Sequence, residues 1–155
     1  MISTLAFLAC VRAGEKYESG VYKSSRRFFD LIVDGASLWE RLGKPHDLVS
    51  VLCSDFALPE TLKAVDRLLL RSDADLPNDR RSLFVCAECG DLGCGAVSVL
   101  VTRVDDHVIW SDFGYENTYE EQISREGYED IGPFQFESKV YESAFLKVIA
   151  ELNSK

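Results

Sequence analysis

The stretch from residue 83 to 113 most constrains what this chain can fold into. Three runs that favour extended backbone lie close together there, at 83–86, 96–104 and 107–113. The middle run carries Val97, Val99 and Val101 among β-branched neighbours, a composition that fits a pleated, half-buried surface. A glycine-rich turn precedes it, and Asp105-Asp106 follows it. Turns of these lengths cannot carry the chain across to a parallel strand, so the three runs predict an antiparallel meander.

The remaining elements are read around that meander. Residues 3–13 alternate weakly and read as a strand, and residues 14–20 turn into a second extended run over 21–34. In that run Phe29, Leu31 and Val33 face one way, Asp30 and Ile32 the other, and Asp34-Gly35 closes it. Ser37 is placed as the N-cap of a short helix through Leu42, stopped by Gly43 and Pro45. Residues 47–53 suit a short apolar strand or a buried helical turn. A helix over 59–70 can take Pro59 at its first position, where a missing N–H costs nothing. It sets Leu62, Val65, Leu68 and Leu69 opposite Lys63, Asp66 and Arg67. Residues 71–81 read as a polar loop. After a break at Gly132-Pro133, a last helix over about 137–152 places Tyr141, Ala144, Phe145, Val148 and Leu152 on one face. The order predicts an α+β fold, an antiparallel sheet with helices packed on one face. The 155 residues hold no repeat, low-complexity tract or Pro/Ser linker, which fits one domain.

Compartment follows from what the chain lacks. The apolar stretch 1–10 has no basic residues before it and is too short for a bilayer, which needs roughly 20 residues. Five cysteines, an odd number, suit reduced thiols in the cytoplasm.

The chain has 17 Lys plus Arg against 26 Asp plus Glu, a formal net charge of −9, and the charge is unevenly placed. Residues 1–104 hold 14 acids and 13 bases. Residues 105–130 hold nine acids (Asp105, Asp106, Asp112, Glu116, Glu120, Glu121, Glu126, Glu129 and Asp130) and one base, Arg125. This balance argues against nucleic-acid or anionic-membrane binding and suits a basic partner.

The run Cys86-Ala87-Glu88-Cys89-Gly90-Asp91-Leu92-Gly93-Cys94-Gly95 is the most unusual in the chain. Cys86, Cys89 and Cys94 can be read as thiolate ligands of zinc, although structural zinc sites usually take four ligands and only one C-x-x-C is present. His107, His46, Cys53 and Cys10 are fourth-ligand candidates at no recognised spacing. Cys86 and Cys89 can instead be read as a redox dithiol, but no helix start follows them to stabilise a thiolate. The plainest reading is a wide turn or bulge, in which the glycines supply unusual backbone angles and the cysteines pack as small hydrophobes. No cofactor is implied on that reading.

At this motif the chain resembles a family of bacterial proteins with C-x-x-C-G-D-x-G-C-G and W-x-D-F-G-Y-x-N blocks. The matching stretches here are CAECGDLGCGAVSV, VIWSDFGYEN and a later GPFQFE, and the resemblance spans about residues 28–150. It implies a shared framework and brings no catalytic residues with it. Oxidoreductase labels attached to such proteins find no G-x-G-x-x-G after a strand in this chain.

Catalytic signatures are not found. The letters D-F-G at 112–114 match a kinase element, but the chain has no H-R-D loop and no phosphate loop. There is no Gly-x-Ser-x-Gly elbow or H-E-x-x-H. Cys94 and His107 could pair as nucleophile and base across the meander, with no third group to orient them. Asp112, Glu116 and Asn117 could form an irregular calcium site, though their spacing is not that of an EF-hand loop.

Carboxylates interleaved with tyrosines leave two readings of residues 112–130: a solvated loop with Tyr115, Tyr119 and Tyr128 packed on the sheet, or a recognition surface. Tyrosine offers large contact area at low entropic cost, and clustered carboxylates steer a basic partner. The expectation is therefore an immunity protein, of the kind used in contact-dependent growth inhibition, which neutralises a cognate basic toxin such as a nuclease. Asp112, Glu116, Glu120, Glu121, Glu129 and Asp130 would pair with the toxin's Lys and Arg, and Tyr115 and Tyr119 would anchor it. The competing expectation is a zinc- or thiol-dependent protein built on Cys86, Cys89 and Cys94.

Overall fold

The computed structural model describes residues 1–20, 22–119 and 122–154, leaving aside the side chains of Tyr22 and His46. In chain order the elements begin with β1 (Leu5–Arg12), β2 (Glu15–Lys16), β3 (Tyr22–Lys23), β4 (Arg26–Val33), β5 (Ala36–Ser37) and α1 (Leu38–Arg41). They continue with β6 (Leu48–Ser50), α2 (Leu58–Leu68), β7 (Arg80–Cys86), β8 (Ala96–Val104), β9 (His107–Glu116), β10 (Phe134–Glu137) and α3 (Ser138–Asn153). The fold is α+β. A five-stranded sheet runs in the order β10-β9-β8-β7-β6, and a three-stranded sheet in the order β1-β4-β5.

The meander forms as expected, with β7, β8 and β9 paired antiparallel in sequence order. Two departures follow from tertiary partners. β7 starts at Arg80, three residues before the apolar run, because the Arg80 and Arg81 side chains are buried and find polar partners there. β10 was not foreseen: its four residues are held by pairing with β9, Phe134 opposite Trp110 and Phe136 opposite Val108.

The helices follow their sequence signals closely. Ser37 caps α1, its hydroxyl accepting from the Glu40 amide at 3.0 Å. α2 begins one residue before Pro59 and buries Thr61, Ala64, Val65 and Leu68. α3 turns Tyr141, Phe145, Val148 and Leu152 inward. The Tyr141 hydroxyl donates to the Leu68 carbonyl at 2.6 Å and accepts from the Trp110 indole N–H at 3.1 Å, tying both long helices to the same side of the sheet.

β4 links the two sheets. Its amides and carbonyls also bond the chain after β6, with the Phe29 N–H to Leu52 at 3.0 Å and the Ser54 N–H to Arg27 at 2.7 Å. Phe28, Phe29, Asp30 and Leu31 are consequently all buried, whereas simple alternation would have exposed every second one. No described helix is long and apolar enough to cross a membrane.

Candidate functional site

Two features singled out by sequence, the Cys-Gly turn and the acidic segment, meet at one end of the five-stranded sheet. The register of β8 against β9 sets Ala96 opposite Glu116, so the β7–β8 turn lies beside the end of β9. His107 lies at the other end of the same ladder, opposite Val104. About eight residues at 3.3 Å each separate it from the cysteines. Cys94 and His107 therefore do not form a nucleophile–base pair.

The turn is anchored by charge. Glu88 receives Arg12 at 2.9 Å and Arg26 at 3.3 Å, and the Arg26 Nε donates to the Ala87 carbonyl at 2.7 Å. Arg12 is 5% exposed. These bonds fix the backbone between Cys86 and Cys89 against the three-stranded sheet. Gly90 (φ 69°) then reverses the chain, its amide bonding the Cys86 carbonyl at 2.8 Å. The Asp91 carboxylate caps the Gly93 amide at 2.9 Å, and Gly95 (φ 104°) returns the chain to β8. Glycine is required where φ is positive and where another group sits in the place of a side chain. Gly95 meets both conditions, because the Tyr115 phenol occupies the space a Cβ would take.

This path gathers three sulfurs. The Sγ atoms of Cys86, Cys89 and Cys94 lie within 4.8 Å of one another, and Cys89 and Cys94 are 3.5 Å apart. Cys86 is half-buried, and Cys89 and Cys94 are exposed. Burial pushes the Cys86 thiol up, but amide N–H groups of Cys89 and Glu88 and the neighbouring thiols outweigh it and leave its pKa lowered. Cys94 is pushed up to about 11 by its hydrogen bond to Cys89 and by negative charge on Cys86. Three sulfurs this close cannot all ionise without a cation. Tetrahedral zinc, with Zn–S near 2.3 Å, needs sulfurs roughly 3.8 Å apart. The observed spacing fits, and three thiolates select soft or borderline metals. A cavity of about 460 Å³ between α2 and β7, lined by Val51, Phe56, Ala64, Arg67 and Val85, also opens at Cys89.

The acidic segment is arranged differently from the expectation. Asp112 and Glu116 are internal ion-pair partners and do not present their charge outward. A bulge sets Asp112 and Phe113 together opposite Val99, with Asp112 at φ 54°, and turns the Asp112 carboxylate toward Arg80. Arg80 bonds Asp112 at 2.9 Å, Glu116 at 3.0 Å and the Ser98 hydroxyl at 2.9 Å, and it also reaches the Asp112 carbonyl. Glu116, 5% exposed, further accepts from Ser98. Arg125 clamps Asp112 from outside at 2.6 and 2.9 Å and, with Arg80, holds its carboxyl below the usual range. With both carboxylates taken by arginines, an irregular calcium site on Asp112, Glu116 and Asn117 loses its ligands. Arg80 and Ser98 escaped the sequence reading, and the only hint was an Arg-Arg pair against an apolar run.

The other named residues lie nearer the surface. Tyr115 is half-buried beside Gly95. Tyr119 is 82% exposed, with its ring over Gly93, where a Cβ would stand 2.7 Å from it. Tyr128 packs inward. Glu129 and Asp130 are exposed, as is Glu126. Glu120 and Glu121 lie outside the described residues. Ser124 pairs with Tyr115 at 2.8 and 2.9 Å and lays the returning segment across Gly114, which has no room for a side chain beside Ile123.

No family model, curated protein or solved structure matches this chain.

Proposed function

We propose that this chain is a zinc-binding protein whose ion is held by Cys86, Cys89 and Cys94. The observation that carries the reading is the convergence of three sulfurs within 4.8 Å on a turn pinned by Arg12 and Arg26. Amides directed at the Cys86 sulfur favour its thiolate, the form a metal takes. A reducing cytoplasm would keep all three thiols available. Bound zinc would join the two arms of the turn and stiffen the platform under Tyr115 and Tyr119. The test is elemental analysis of protein purified under reducing conditions, with cobalt substitution to report thiolate ligation. About one zinc per chain, lost in Cys86→Ser, supports the site; metal-free protein with no cobalt–thiolate absorption rejects it.

A second reading is favoured by Tyr119, which stands exposed on that platform with Glu126, Glu129 and Asp130 on the same segment facing solvent. These residues suit an immunity-type contact with a basic toxin, with Tyr119 as anchor. Reversing Glu126, Glu129 and Asp130 to Lys should slow association with a toxin encoded beside this chain and flatten its salt dependence. Unchanged kinetics would remove this reading.

A further inference from the structure

The three sulfurs are not equivalent, and the difference has a chemical consequence. Cys86 is half-buried and tied to a strand end. Cys89 and Cys94 are exposed and touch at 3.5 Å, with four residues between them. A disulfide bond is about 2.05 Å long, so the two sulfurs need to approach by roughly 1.5 Å. The intervening chain can supply that movement. It begins at Gly90 and ends at Gly93, and its internal support is the Asp91 amide on the Cys89 sulfur at 3.4 Å, the Asp91 cap on the Gly93 amide and short turn bonds from the Cys94 and Gly95 amides. Cys89 is reached both from solvent and from the cavity beside α2.

We propose that Cys89 and Cys94 form an oxidation site, converted by a hydroperoxide to a disulfide that displaces the metal. The inference rests on the zinc reading for its regulatory meaning, though the disulfide itself needs no metal. One thiolate attacks the peroxide oxygen, the O–O bond breaks, and a sulfenic acid and one water form once the leaving oxygen takes a proton. The second thiol then attacks that sulfur and expels the second water. Two thiols lose two electrons and two protons, and hydrogen peroxide becomes two waters. Zinc then keeps a single thiolate ligand, that of Cys86, and dissociates. A thiol reductant restores the dithiol and the metal site.

The experiment treats the full-length protein, as isolated and after metal removal, with graded hydrogen peroxide. Free thiols are alkylated, disulfides are mapped by peptide mass spectrometry, and zinc release is followed with a chromophoric chelator. The expected result is a single Cys89–Cys94 linkage with Cys86 alkylated, about one zinc released per disulfide formed, and full reversal by dithiothreitol. Cys86→Ser should still form the linkage at the wild-type rate, whereas Cys94→Ser should form a disulfide more slowly, because the closest sulfur pair is lost. In the wild type, a Cys86–Cys89 linkage or irreversible overoxidation overturns the proposal. Protein that carries no zinc but forms the Cys89–Cys94 linkage rejects the zinc reading and leaves the oxidation site standing. Protein that binds zinc and resists the disulfide does the reverse.

Discussion

Replacing Arg80 by Met tests how the acidic segment is held. Arg80 is 1% exposed and makes two ion pairs, to Asp112 and Glu116, and two bonds to Ser98. Hydrogen bonds to charged groups contribute about 1.5–3 kcal/mol each, so the two ion-paired contacts set a gross loss of roughly 3–6 kcal/mol. Asp112 keeps Arg125 and is spared much of it. Among the described residues Glu116 then keeps the Ser98 hydroxyl alone as a hydrogen-bond partner and is left as a charge in a buried site. Arg80→Met is therefore expected to destabilise by about 3–4 kcal/mol at pH 7, within the range for breaking a buried pair from one side. Adding Glu116→Gln should recover about half or more of that loss. Urea denaturation of the wild type, both single variants and the double variant measures each quantity. A loss below about 1 kcal/mol, or no recovery in the double variant, would refute the reasoning.

Three further outcomes are expected. Tyr141→Phe strands the buried Trp110 N–H and the Leu68 carbonyl and should cost about 2 kcal/mol in urea unfolding, with under about 0.5 kcal/mol counting against the network. The Asp112 carboxyl is lowered by Arg125 and Arg80, so its contribution is complete above the ordinary value of 3.8 and lost as pH falls through the lowered native value. Thermal melts of Asp112→Asn should therefore lose less stability than wild type below pH 4, where Asp55 and Glu88, lowered by Arg27 and Arg12, still contribute to the acid limb; parallel losses would contradict the assignment. Gly95→Ala places a Cβ at φ 104° against the Tyr115 phenol and should destabilise by about 2 kcal/mol, read from the melting temperature, with a neutral effect ruling out the close approach.

The local elements were legible because local physics specifies them. Val97, Val99 and Val101 with short turns require an antiparallel meander, Ser37 caps its helix, and the spacing of Tyr141, Phe145, Val148 and Leu152 defines the buried face of α3. The cysteine trio was legible as residue types at a spacing. Its convergence was not, because it depends on Glu88 being held by Arg12 and Arg26, which lie more than sixty residues away in another sheet. Charge was the least legible feature. By count, Asp112 and Glu116 belong to an outward acidic segment, and only the bulge opposite Val99 and the burial of Arg80 turn them inward. The sequence by itself determined the meander, the two long helices and the candidate ligands, since backbone preference and apolar period act over a few residues. The tertiary structure decided which carboxylates are consumed internally and that three sulfurs meet, since both depend on long-range partners that a linear pattern does not encode.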